Sequence, residues 1–222
     1  LVWFHGGSNQ VGSAGDPVPF PGIPGLFYDA HMLAQERDVV VVTVNYRLNA
    51  FGFFAHPALA GEDAQYPHAG NQGLLDQRAA LEWVQANVAA FGGNPRRVTI
   101  FGESAGSEDV CLHVASPTSR GLFHRAIGES GGCTSHLPTA AHGAANAEGL
   151  AVAVGCYGAP DELACLRQVP ASTLIANLSS LDFNPVVDGG VLPDQPRTLF
   201  DTHDFAKVPY LLGSNSDEGT LF

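Results

Sequence analysis

Two spacings of apolar residues alternate along the chain. Short apolar runs at Leu1 to Phe4, Val39 to Val44, Val98 to Phe101, Arg125 to Gly128 and Val208 to Gly213 predict strands. Val39 to Val44 is β-branched with no polar alternation, the pattern of a strand covered on both faces, so a central place in the sheet is expected for it. Between the runs the spacing turns helical. After Asn71, read as an N-cap, the residues Leu74, Leu81, Val84, Val88 and Phe91 fall on one helix face until Gly92-Gly93-Asn94-Pro95 ends it. A second helix is expected to start at Ser104 to Ser107, with Glu108 and Asp109 in its first turn where acids complement the dipole, and to run to about Ser116-Pro117. Residues 134–180 are Ala-rich and helical in pattern, which reads as a cap-like excursion outside the sheet. Strands alternating with helices predict an α/β fold with a mostly parallel sheet.

Composition narrows the function classes. The 222 residues are 45% hydrophobic and 14% charged, enough for a sizeable core, and 26 glycines with 15 prolines imply many tight turns. Ten basic against 22 acidic residues give a net charge of −12, which repels phosphate backbones and makes nucleic acid an unfavourable partner. Lys207 is the sole lysine and follows no glycine, so a phosphate-cradling nucleotide loop of the usual form is excluded. The cysteines Cys111, Cys133, Cys156 and Cys165 are spaced too irregularly for a zinc ribbon, and no metal or cofactor is expected. No apolar run is long enough for a membrane helix. Leu1-Val2-Trp3-Phe4 reads as a strand already under way and Gly219-Thr220-Leu221-Phe222 stops as abruptly, so a piece of a longer chain is expected.

The chemistry centres on Gly102-Glu103-Ser104-Ala105-Gly106, which sits between a predicted strand and a predicted helix. That context is the one a nucleophile elbow requires: two glycines permit a sharp turn, and the helix start presents N-H groups and a positive dipole end to a developing oxyanion. Ser104 is therefore the candidate nucleophile, against the alternative of a helix-capping serine in a glycine-rich turn. A second match, Gly128-Glu129-Ser130-Gly131-Gly132, also follows a strand but runs into Cys133-Thr134-Ser135-His136-Leu137-Pro138, which is no helix. Ser130 is read as a structural or supporting residue. His5-Gly6-Gly7-Ser8 follows the first strand as the His-Gly-Gly loop of esterases does, which makes the N-H groups of Gly7, Ser8 and Ala105 the candidate oxyanion donors.

With these motifs in place, the sequence resembles the type-B carboxylesterase and cholinesterase family of α/β-hydrolases. The ordered matches include Asn45-Tyr46-Arg47, Gly70 to Gln77, Phe91 to Pro95, Leu122 to Ile127, Pro185 to Gly189 and Ser216 to Thr220. Asn94 stands where the family usually has Asp, and Ser8 where it often has Gly. The resemblance implies a single partial α/β-hydrolase domain over residues 1–222, lacking N- and C-terminal parts, with helices on both faces of the sheet. It also implies a Ser-Glu-His triad in chain order whose acid is Glu218, although from the residues alone Asp217 competes for that place. None of His5, His31, His56, His68, His113, His124, His136, His142 or His203 lies in a segment matching the family's histidine, so the base is expected in missing sequence. The resemblance further implies a Cys156–Cys165 disulfide and, with it, secretion or a periplasmic location. A Cys111–Cys133 bridge is left open, and Asn177-Leu178-Ser179 is a formal glycosylation acceptor.

The expected function is serine carboxylester hydrolysis of a small-molecule ester through an acyl-enzyme, with little turnover by the 222-residue chain itself. Glu103 either tunes the field beside Ser104 or has no role. One alternative is a non-catalytic cholinesterase-like binding or adhesion module; another is a self-sufficient small hydrolase using His142 or His203.

Overall fold

The computed structural model describes residues 1–16, 28–132, 134–178 and 181–218. Among these residues five strands, β1 (Val2–Phe4), β2 (Val42–Val44), β3 (Thr99–Glu103), β4 (Arg125–Glu129) and β5 (Tyr210–Gly213), form one sheet in the order β2-β1-β3-β4-β5. Every pairing is parallel, with Phe4 in register with both Val44 and Gly102. Parallel neighbours need crossovers, and helices supply them. α1 (His31–Arg37) joins β1 to β2; α2 (Asn49–Phe53) and α3 (Gln72–Asn87) join β2 to β3; α4 (Ala105–Ala115) joins β3 to β4. The longest connection, from β4 to β5, carries α5 (Ala140–Ala153), α6 (Glu162–Gln168), α7 (Ala171–Ala176) and α8 (Pro196–Asp201).

Strand alternation sorts side chains onto two faces. Val2, Phe4 and Ile100 pack with Leu81 and Val84 of α3 and Val110 and Val114 of α4, the main core. Phe4, Ile100 and Leu81 are wholly buried, and each such side chain contributes roughly 1.5–3 kcal/mol of transfer free energy. On the opposite face Trp3 packs against Phe101 with ring centroids 4.7 Å apart, and Leu33 of α1 shares a shallow cleft with them. A second core joins Phe53, Leu74 and Leu112 to Leu150 and Phe183, so α5 is packed on α2, α3 and α4 away from the sheet. A smaller cluster surrounds the Cys156–Cys165 disulfide, the pairing that the family resemblance implied, and clasps α5 to α6.

Several expectations are corrected. The Val39 to Val44 run forms a strand only over Val42–Val44 and lies at the sheet's edge rather than its centre among the described strands. Val40 and Val42 pack on the main core, whereas on the other face Val41 lines the shallow cleft beside Trp3 and Thr43 is exposed. Asn71 does not cap α3 with its side chain, because its carboxamide is committed to Val186, donating to the Val186 carbonyl at 2.8 Å and accepting from its N-H at 3.0 Å. Phe91 leaves the buried face since α3 tightens into a 3-10 turn at Val88, and it stands exposed beside Trp83. Predicted Val208–Gly213 is a strand only from Tyr210.

Candidate active site

β3 ends at Glu103 and α4 begins at Ala105, so the whole reversal of direction falls on Ser104, at φ 56° and ψ −124°. An L-residue held there stores roughly 1–3 kcal/mol, which the surrounding packing must offset. The glycines are sterically required. A Cβ on Gly106 would stand 2.1 Å from the Phe4 carbonyl oxygen, and one on Gly102 would stand 2.4 Å from the Gly106 carbonyl oxygen. The backbone of β1 thus runs directly under the turn. Ser104 is fixed through its main chain, its N-H donating to Glu129 at 2.9 Å and its carbonyl accepting from Glu108 at 3.1 Å. Its hydroxyl makes no capping bond to α4, which removes the capping-serine alternative.

The loop after β1 lies against this turn. A Cβ on Gly6 would meet the Ser104 Cβ at 3.2 Å and a Glu103 carboxylate oxygen at 3.0 Å. Gly7, Ser8 and Asn9 then take three successive positive φ values, 108°, 58° and 58°. Gly7 admits no side chain, because its Cβ would fall 2.1 Å from the Val11 carbonyl oxygen. Ser8, Ser104 and Ala105 line one cleft of about 210 Å³ at the C-terminal end of the strands, with Leu112 and Leu137 among its apolar walls. No carbonyl or side chain among the described residues accepts from the N-H groups of Gly7, Ser8 or Ala105. A larger cleft of about 590 Å³ opens at the opposite end, around Val2, Val40 and Val98. Ligands of open parallel sheets bind outside the carboxyl ends of the strands, which favours the smaller cleft.

Glu218 follows β5. One of its carboxylate oxygens accepts from the Ser130 hydroxyl, from the Asn215 N-H at 2.8 Å and from the Asn215 side-chain amide at 3.2 Å. These donors, Ser130 first, hold its carboxyl below the usual range. Glu103 is shifted the other way, raised by burial and then by the nearby charges of Glu218 and Glu129. Asp217, the neighbouring acid, accepts from the Ser216 hydroxyl at 3.4 Å. Ser130, expected to be structural or supporting, therefore touches the candidate acid directly. The repeated Gly-x-Ser-x-Gly after the strand beside β5 was the available signal.

None of the described histidines lines the Ser104 cleft or hydrogen-bonds to Ser104 or Glu218. His5 is buried and donates through Nδ1 to the Gly6 carbonyl at 2.8 Å. His142 sits exposed in the first turn of α5 and His203 exposed just past α8.

The carboxylesterase family model matches residues 1–222. The chain belongs to the carboxylesterase family. A mouse (Mus musculus) cholinesterase is 41% identical to it over 237 residues, an alignment covering 100% of this chain and 36% of that protein. The chain thus spans about a third of the length of this curated relative. The parallel sheet with helices on both faces is the α/β-hydrolase fold of the carboxylesterase family. Cys111 on α4 is disulfide-bonded, whereas Cys133 lies outside the described residues. Among the described residues no helix is long and apolar enough to cross a membrane.

Behind Ser104 this carboxylesterase-family chain carries a buried polar row that is not legible in the sequence, where Asp109 reads as an acid placed near the helix start for its dipole. Asp109 is wholly buried. One of its carboxylate oxygens accepts from the Asn9 amide at 3.1 Å and the other from the Gln77 amide at 2.6 Å. Gln77 accepts in turn from His113 Nε2 at 2.8 Å, which leaves His113 Nδ1 to accept from the Ser119 hydroxyl, also at 2.8 Å. Burial keeps His113 neutral, with a pKa of about 3, and pushes the Asp109 carboxyl up to about 7.

Proposed function

We propose that this chain carries the nucleophile, the acid and the oxyanion donors of a serine carboxylester hydrolase. The observation that carries the reading is the Ser104 turn: a strained serine between β3 and α4, under a loop, with its hydroxyl and the Gly7 and Ser8 N-H groups uncommitted among the described residues. In this mechanism the Ser104 oxygen attacks the ester carbonyl carbon while its proton passes to a histidine outside this chain, oriented by Glu218. The tetrahedral oxyanion is held by the N-H groups of Gly7, Ser8 and Ala105. Its collapse expels the alcohol, which takes the proton from the histidine, and water then hydrolyses the acyl-enzyme by the same sequence. Glu103 adds negative charge beside the serine, favouring the cationic form of that histidine.

The substrate class is a small-molecule ester, consistent with a cleft partly walled by Leu112 and Leu137. The Cys156–Cys165 bridge supports an oxidising compartment, secreted or periplasmic. By itself the 222-residue chain turns over little, because no described histidine reaches Ser104. The test is organophosphonate labelling of the full-length protein with peptide mapping of the adduct. An adduct on Ser104 and loss of ester hydrolysis in Ser104→Ala are expected. A protein that takes no label there, as a binding or adhesion module would not, defeats the reading.

A further inference from the structure

We infer that Asp109 is a positioning residue for the oxyanion loop: from the helix behind Ser104 it reaches across to Asn9 and holds the Gly7-Ser8-Asn9 backbone over the nucleophile. The inference rests on the ester-hydrolase reading and names the group on which its geometry depends.

The loop needs such a hold. Ser8 and Asn9 are L-residues in the left-handed region, a conformation that costs roughly 1–2 kcal/mol per residue and relaxes unless surrounding contacts fix it. Hydrogen bonds anchor both flanks. The Tyr46 hydroxyl donates to the His5 carbonyl at 2.7 Å with its ring stacked on His5, the Asn49 N-H donates to the Asn9 carbonyl at 2.7 Å, and Gln10 donates to the Phe183 carbonyl at 2.7 Å. Between these anchors, the bond from the Asn9 amide to Asp109 ties the loop's side chains to α4. Because α4 also begins with Ala105, that bond sets the two sources of oxyanion donors, loop and helix, in one frame.

Asp109 is itself held rigidly, with Gln77 of α3 on its other oxygen and the Tyr46 hydroxyl and the charge of Glu108 nearby. Full burial of a carboxylate is costly, and its retention against two amide donors fits a tether better than a packing role. The carboxamide oxygen of Asn9 has no partner among the described residues. That free oxygen makes a conservative exchange possible. In Asp109→Asn the Asn9 carboxamide turns over to accept from the new amide, while Gln77 still donates to the new carbonyl, so the tether survives without its charge.

The experiment compares full-length wild type with Asp109→Ala, Asp109→Asn and Asn9→Gly, the last keeping the positive φ accessible. The readouts are kcat and KM for an aryl ester and the affinity of the matching aryl trifluoromethyl ketone, whose adduct bears the oxyanion. Asp109→Ala and Asn9→Gly are expected to lose about 10- to 100-fold in kcat and in ketone affinity with KM within about threefold. Asp109→Asn is expected to stay within about threefold of wild type, and the Ala-Gly double variant to be no worse than either single one. Asp109→Ala and Asn9→Gly that lower only the melting temperature, leaving ketone affinity intact, overturn the inference while the esterase reading stands. If Asp109→Ala does not fold, Asn9→Gly decides alone. A wild-type protein with no Ser104-dependent turnover sinks both.

Discussion

The chain contains one sequence pattern twice, on adjacent parallel strands, with different outcomes. Ser104 after β3 and Ser130 after β4 have nearly the same positive φ, 56° and 53°. Each also donates its N-H to the neighbouring strand's end, Ser104 to Glu129 at 2.9 Å and Ser130 to Gly213 at 2.8 Å. The two turns part company in the residues just after the serine. Gly106 is pressed against the Phe4 carbonyl as α4 starts, so the first turn of that helix stands behind Ser104 and leaves its hydroxyl uncommitted. Among the described residues no helix begins after Ser130, a Cβ on Gly132 would meet only the Ser135 hydroxyl at 3.1 Å, and the serine hydroxyl is spent on Glu218. The tight turn is thus shared; among the described residues the hydroxyl that precedes a helix is left uncommitted, while the other is bonded to Glu218.

The largest effect should come from deleting the hydroxyl proposed to react. Ser104→Ala is expected to lower kcat by about 10⁴-fold or more and to abolish organophosphonate labelling, whereas Ser130→Ala must still take the label on Ser104. Labelling on Ser130 instead would invert the comparison. The paired glycine variants probe the backbone. Gly106→Ala drives its Cβ to 2.1 Å from main-chain oxygen, and should destabilise the fold by about 4 kcal/mol or prevent folding, as read by urea denaturation. Gly132→Ala displaces only a rotatable side-chain hydroxyl and should cost less than about 1 kcal/mol. Equal costs would mean that the helix makes no difference to the two turns.

The contrast also shows what the sequence can and cannot disclose. The strand, Gly-x-Ser-x-Gly and helix of residues 98–116 were legible because period and turn chemistry are local, and β3 and α4 lie where they were expected. The missing helix sets Ser130 apart from Ser104 in the sequence, but its contact with Glu218, 88 residues away, depends on which strands are neighbours. The Val39 to Val44 run failed for the same reason: a β-branched run reports burial, while edge or centre is a matter of sheet order. Asp109 was read from its place near a helix start, yet α4 turns that position inward against α3 and the opening loop. Helix-dipole reasoning assumes solvent around the acid, and here there is none.

That buried acid sharpens the comparison through pH. Burial raises the Asp109 carboxyl from its ordinary 3.8 to about 7, so between these values the folded chain holds a proton that the unfolded chain has lost. Stability therefore falls as pH rises from about 4 to 7 and is flat above, with a ceiling of about 4 kcal/mol. Asp109→Asn removes this dependence. The variant should be more stable than wild type by about 2 kcal/mol at pH 8 and no more stable at pH 4, by urea titration at both values. An unchanged difference between the two pH values would show that Asp109 titrates normally. No such gain is expected from the acid beside Ser130, since Glu218 is shifted in the opposite sense by its hydrogen-bond donors.

The smallest of these effects concerns the serine that supports. Removing the Ser130 hydroxyl leaves Glu218, among the described residues, only the two Asn215 donors, both on the same carboxylate oxygen. That loss acts in two ways. The carboxyl, held low chiefly by Ser130, moves up toward its ordinary 4.5, and a carboxylate with fewer donors favours the protonated form of the histidine it faces, so the acid limb of kcat/KM shifts to higher pH rather than lower. The carboxylate also gains freedom to rotate, which loosens the histidine it is proposed to orient and should lower kcat about tenfold at pH 7, with KM little changed. Ser130→Gly separates hydroxyl from backbone: it relieves the positive φ of 53° and should be the more stable variant, yet show the same kcat and the same displaced limb as Ser130→Ala. If Ser130→Ala keeps wild-type kcat and an unmoved acid limb, the second motif plays no part in the reaction, and the two Gly-x-Ser-x-Gly turns are neighbours in the sheet without being partners in the chemistry.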